Sequence, residues 1–183
     1  MSAEALLRAV VAALREAGIP FMLTGSVAGA YHGAGRATMD LDFVIDPSAA
    51  QLEAFVALMS STGTYVSPEA AREALADRTS FNVVDVESGW KVDLIVRKAR
   101  PFSEEELRRR HTAEFLGVRL DVATLEDVVL SKLEWPKLGG SARQLEDVRT
   151  LLRVREGDLD TEYVRRWVQT LGLTEQWAAV STD

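Results

Sequence analysis

The sequence predicts an α+β protein: a mixed β-sheet core flanked by helices, followed by a C-terminal helical region. Three observations predict it. Up to about residue 102, short β-rich runs alternate with segments of helical periodicity. The run 81–97, "FNVVDVESGWKVDLIVR", reads as a hairpin joined at Ser88-Gly89. From about residue 103 the texture becomes that of successive amphipathic helices. The division therefore falls into an α/β core, 1–102, and a helical region, 103–183.

The elements follow in order. Residues 3–17 carry apolar positions at helical spacing, and Gly18 and Pro20 stop that helix. "IPFMLT" (19–24) reads as a buried strand, and the small residues of "GSVAGAYHG" (25–33) let a helix start directly after it, ended by Gly33 and Gly35. "TMDLDFVI" (38–45) is the next strand. Asp46 is expected as the N-cap of the following helix, with Pro47 at its first position. "SPEAAREALADR" (67–78) gives a shorter helix before the hairpin. Beyond 103, "SEEELRRRH", "TLEDVVLSKLEW", "ARQLEDVRTLLRVR", "TEYVRRWVQTL" and "TEQWAAV" are expected as helices, with Thr124 and Asp127 in a capping-box relation.

Composition narrows the function. The chain of 183 residues is 47% hydrophobic, enough for a real core. It has no cysteine, which excludes disulfides and thiolate metal sites and fits a reducing cytoplasm. Two histidines, His32 and His111, argue against an imidazole zinc site, and no apolar run is long enough to cross a bilayer. A net charge of −7 argues against sequence-independent coating of nucleic acid. The basic runs "VRKAR" (96–100) and "RRRH" (108–111) are either a local substrate groove or solvated faces.

The chemistry concentrates in three places. Gly25 and Ser26, at a strand-to-helix bend, offer backbone N–H groups and a helix N-terminus suited to phosphate, or form only a tight turn and cap. Asp40 and Asp42 project from one face of a strand whose other residues are apolar. Two carboxylates so placed repel one another and call for a positive partner. Asp93 supplies a third strand carboxylate, flanked on its face by Lys91 and Arg97, with either of which it could simply pair. Oxygen-only ligands suit Mg²⁺ or Mn²⁺. Two such ions about 3.5–4 Å apart clamp both oxygens of an in-line phosphoryl displacement. Arg36 either neutralises the acidic strand or binds phosphate.

"GSVAGAYHGAGRATMDLDFVI" followed by "KVDLIV" resembles the nucleotidyltransferases of the DNA polymerase β superfamily, and the Arg36-x-Thr38-x-Asp40-x-Asp42 wording resembles its AbiEii, toxin–antitoxin branch. The resemblance implies that Gly25 and Ser26 hold the triphosphate of an NTP. It implies that Asp40 and Asp42 bind both metals, and that Asp93 completes the second and helps deprotonate the attacking hydroxyl. In the helical half, Lys132 matches the family's lysine as a phosphate contact, with a surface lysine as the alternative. Asp147 matches the last acid of a Lys-Asp-x-x-Asp element whose first two positions are here Arg143 and Gln144; it could also pair with Arg143. The implied reaction transfers a nucleoside monophosphate from an NTP to a hydroxyl and releases pyrophosphate. The implied acceptor is RNA, such as tRNA, or a protein side chain, with a cognate antitoxin as partner. An aminoglycoside-type small molecule is the alternative acceptor, and an inactive nucleotide-binding or antitoxin-like module the alternative role.

Overall fold

In the computed structural model, residues 1–34, 40–137 and 143–181 are described. Among them a seven-stranded mixed sheet has the order β3-β4-β5-β2-β1-β7-β6. Its centre is β1 (Phe21–Thr24), β2 (Asp40–Ile45) and β5 (Lys91–Val96); β1 and β2 are antiparallel, β2 and β5 parallel. β4 (Ser80–Val84) and the short β3 (Tyr65–Val66) extend one side. β7 (Val118–Val122) and β6 (His111–Phe115) extend the other, with β7 parallel to β1.

The apolar face of the sheet follows from strand alternation. Leu41, Phe43 and Ile45 of β2 and Val92, Leu94 and Val96 of β5 are all buried. Phe43 meets Phe21 edge-on at 5.9 Å between ring centroids, and Phe81 meets Phe55 at 6.4 Å. Burying a side chain of this size contributes about 1.5–3 kcal/mol. Phe55 belongs to α3 (Ala49–Ser60), which packs with α1 (Ala3–Glu16) and α4 (Pro68–Asp77). α2 (Gly25–His32), which follows β1 directly, packs with α6 (Leu125–Lys137) and α7 (Arg143–Val154). α6 also meets α8 (Thr161–Leu171) and α9 (Thr174–Ser181). No helix among the described residues is long and apolar enough to cross a membrane.

Several sequence expectations are corrected. The cap of α3 is Ser48, not Asp46: its hydroxyl accepts from Gln51 N–H, and the Gln51 side chain accepts from Ser48 N–H. Asp46 is instead drawn to Arg97, 2.9 Å away. The stretch after 103 is not wholly helical, because β6 and β7 form a hairpin that joins the sheet through β1. The turn holds Leu116 and Gly117 at φ 49° and 68°, the positive-φ pair that two-residue hairpin turns need. Asp85, at the hairpin turn, is buried and accepts from the Ser88 hydroxyl. Gly35, expected to help end α2, lies outside the described residues; Gly33 ends it at φ 115°.

The capping expectation for Thr124 holds in part. Its hydroxyl accepts from Asp127 N–H at 3.3 Å and donates to the Asp127 carboxylate at 2.7 Å. That carboxylate also accepts the Tyr163 hydroxyl at 2.7 Å. Nearby, Glu106 of α5 (Pro101–Arg109) is buried and accepts from Ser131 at 3.0 Å. Burial and the neighbouring Asp127 charge push the Glu106 carboxyl up to about 8.

A carboxyl raised on folding binds its proton in the native state where the unfolded chain has lost it, so stability falls as pH rises. The window runs from the ordinary value of 4.5 to about 8. Thermal melts of Glu106→Gln across that range should be flatter than those of the wild type. The variant should gain on the order of 5 kcal/mol at the alkaline end. Parallel melting curves would remove Glu106 as the source.

Candidate active site

The site is built by register. In the parallel pairing of β2 with β5, Asp40 stands opposite Lys91 and Asp42 opposite Asp93. In the antiparallel pairing of β1 with β2, Thr24 stands opposite Asp42; in that of β4 with β5, Asn82 stands opposite Asp93. One polar row, Asn82–Asp93–Asp42–Thr24, therefore crosses four strands on the face opposite Phe43 and Leu94. Asp40 and Lys91 sit beside it on the same face. The structure places Asp40, Asp42 and Asp93 on one face of two paired strands.

Gly25 places the first turn of α2 directly on this row. A side chain there would put its Cβ 2.1 Å from Asp42 Oδ2, and the residue lies at φ 66°. Both constraints demand glycine. The next residue, Ser26, donates its backbone N–H to the Asp42 carboxylate. The helix N-terminus that suited phosphate thus already holds one anion, the carboxylate of Asp42.

The electrostatics are uneven. Lys91 Nζ lies 2.9 Å from Asp93 Oδ2 and 3.5 Å from Asp40 Oδ1. Asp93 is therefore paired with Lys91, one of the two partners its flanks suggested, whereas Arg97 turns to Asp46. Asp42 is left short of positive charge. Burial, then the Asp93 and Asp40 carboxylates, push its carboxyl up to about 6, against the pull of Ser26 N–H and Lys91.

Among the described residues, no three His, Cys, Asp or Glu side chains are drawn together as a ready-made metal cage. The ammonium of Lys91 stands between two of the three aspartates instead. The donor set still fits a hard divalent cation, because it is all oxygen: three carboxylates lie on one face of two paired strands.

Lys132 and Asp147 are placed elsewhere. Lys132 is buried, with Nζ 2.8 Å from both Asp147 Oδ2 and Gln144 Oε1. Its Cε would stand 3.1 Å from a Cβ at Gly29, one turn along α2 from Gly25. The lysine is thus neither a surface residue nor, in this arrangement, turned to the acid row. It straps α6 and α7 against α2, and Asp147 pairs with Lys132. Arg36 lies outside the described residues. His32 is buried at the end of α2, with Nε2 2.8 Å from Ala123 O, as a helix-end histidine should be. Trp135 is exposed, while Trp167 packs edge-on to Phe102.

The basic runs are largely bound up internally. Arg97 pairs with Asp46, Arg100 with Glu134, Arg108 with Glu105, Arg109 with Glu126 and Arg110 with Asp121. Asn82, and the reach of Lys91 across to Asp40, escaped the sequence. A two-residue turn at Ser88-Gly89 sets Val84 opposite Asp93; the longer turn closes at Asp85 and Trp90, shifts the register by two and brings in Asn82.

No family profile and no curated protein sequence matches the chain. Solved structures do. The crystal structure of ANT(2'')-Ia in complex with adenylyl-2''-tobramycin superposes with a TM-score of 0.59 at 15% identity, covering 91% of this chain and 97% of that one. An antigenic nucleotidyltransferase-like protein from Paracoccidioides brasiliensis gives 0.52 at 13% identity, covering 100% and 98%. JHP933 from Helicobacter pylori gives 0.53 at 20% identity, covering 96% and 77%. At these identities the likeness concerns architecture: the chain has the fold of nucleotidyltransferases.

Proposed function

We propose that the protein transfers a nucleoside monophosphate from an NTP to a hydroxyl of a small-molecule acceptor, with Mg²⁺ or Mn²⁺. The observation that carries this reading is the carboxylate row, Asp40, Asp42 and Asp93, lying against the glycine-initiated N-terminus of α2. Asp40, Asp42 and Asp93 would hold the metal, which when bound supplies positive charge to the phosphate oxygens and the attacking oxygen. Gly25 and Ser26 border the place for the triphosphate, and Arg36 is a candidate for its outer phosphates. Asp93 takes the proton of the acceptor hydroxyl. The freed oxygen bonds to the α-phosphorus, the bond from that phosphorus to the bridging oxygen breaks, and pyrophosphate leaves.

The choice of a small acceptor rests on charge. A net charge of −7, with the arginines of both basic runs paired to carboxylates, disfavours a polyanionic backbone. ANT(2'')-Ia, whose structure holds adenylyl-2''-tobramycin, offers the same fold around a small-molecule product. The toxin-like reading, with RNA or protein labelled and a cognate antitoxin as partner, is the alternative outcome of one experiment. Labelled NTPs are incubated with Mg²⁺ and either fractionated metabolites, aminoglycosides, total RNA or protein. Label in the small-molecule fraction supports the proposal; label in RNA or protein overturns the acceptor; pyrophosphate release from none of them overturns the activity.

Two substitutions test the machinery. Asp93→Asn should lower transfer by roughly 10²–10⁴-fold, the worth of a positioned base, with the fold retained by circular dichroism. Gly25→Ala should lower it by roughly 10²-fold by pushing the Asp42 carboxylate out of line.

Asp42→Asn should abolish transfer yet stabilise the metal-free protein. The Asp42 carboxyl rises from 3.8 to about 6 on folding, so its contribution to stability is lost as pH climbs through that interval. The amide escapes this cost, and melts in chelator above pH 7 should show a gain on the order of 2 kcal/mol, absent near pH 4. An equal or lower melting temperature at the higher pH would count against the repulsion described for this face.

A further inference from the structure

We propose that Lys91 is a resident counter-ion that competes with the divalent cation for the acid row: its ammonium bridges Asp40 and Asp93 in the metal-free protein and leaves both when metal is held. This rests on the metal reading given under Proposed function. The bridge is built into the strands. Lys91 lies opposite Asp40 in register and two residues before Asp93 on the same face, so its ammonium is delivered between the two carboxylates at 3.5 and 2.9 Å. The next cation along that face, Arg97, is committed to Asp46 and Glu104 at 2.9 and 3.5 Å. Lys91 is thus the cation that the row receives from its own sheet.

The two occupants exclude one another. A magnesium ion draws oxygen ligands to about 2.0–2.1 Å in an octahedron, and the carboxylate oxygens that face an ammonium are turned away from it. An ammonium left in place would also repel the incoming dication at short range. Its exit is open: the Lys91 side chain is 34% exposed and carries its charge on a flexible four-carbon stem. The partly exposed pairs it gives up are individually weak, so the exchange is reversible. The lysine therefore keeps the row intact without metal and lowers its affinity for metal.

Mn²⁺ binding, followed by electron paramagnetic resonance without nucleotide, tests this on the whole chain. Lys91→Met should bind Mn²⁺ roughly tenfold more tightly than the wild type. Its metal-free melting temperature should be lower, and Mg²⁺ should raise it by more than in the wild type. Lys91→Arg, which keeps a cation, should bind Mn²⁺ no more tightly than the wild type. Unchanged or weaker Mn²⁺ binding by folded Lys91→Met overturns the proposal while leaving the metal reading intact. Should Lys91→Met fail to fold, Lys91→Gln is read by the same criteria. Absence of Mn²⁺ binding from the wild type and the lysine variants alike overturns the metal reading, and the role of Lys91 with it.

Discussion

The constraint on which the site depends is the pairing of β2 with β5. Parallel register sets Asp42 beside Asp93 and Asp40 beside Lys91, and no side-chain choice can undo that once the apolar faces of both strands are buried. A slip by one residue would turn Phe43 and Leu94 outward and the aspartates into the core. The core therefore enforces the charge cluster, although the cluster itself opposes folding. Hydrophobic burial on one side of the sheet offsets electrostatic strain on the other, and Gly25 extends the same logic by bringing a helix start within touching distance of Asp42.

Much of this was legible beforehand, for reasons that can be named. Strand alternation alone put Asp40 and Asp42 on one face of their strand and Lys91 with Asp93 on one face of theirs, because a period of two needs no tertiary information. Small residues after a buried strand announced the bend at Gly25. What the sequence could not supply was register and long-range company. That β2 lies beside β5, that Asn82 rather than Val84 faces Asp93, and that Lys132 meets Asp147 are facts about pairs distant in the chain. The β6–β7 hairpin and the Ser48–Gln51 capping box were local signals overlooked. "HTAEF" and "VRLDV" alternate across Leu116-Gly117, but their polar residues and helical neighbours masked the pattern.

The helical region is more than an appendage in this arrangement. β7 pairs with β1, the strand that ends at Thr24, while α6 and α7 bear on α2, the helix that begins at Gly25. Both arms of the strand-to-helix bend are thus gripped by residues that come late in the chain. The arginines of this region contribute in the same way: Arg109 joins Glu126 and stacks its guanidinium 3.7 Å over the Tyr163 ring, packing charge within the protein.

The strap between Lys132 and Asp147 has a consequence for how this sequence can change over generations. Each charge is largely hidden from water, and the two meet at 2.8 Å, with Gln144 completing the lysine. Losing either one alone strands its partner in a poorly solvating interior, a step far costlier than the pair is worth. Replacing both together with apolar residues of matching volume carries no such cost. Positions 132 and 147 are therefore held as a unit, free to drift only in concert, and a side chain at Gly29 needs the lysine stem that crosses it to give way by a few tenths of an ångström.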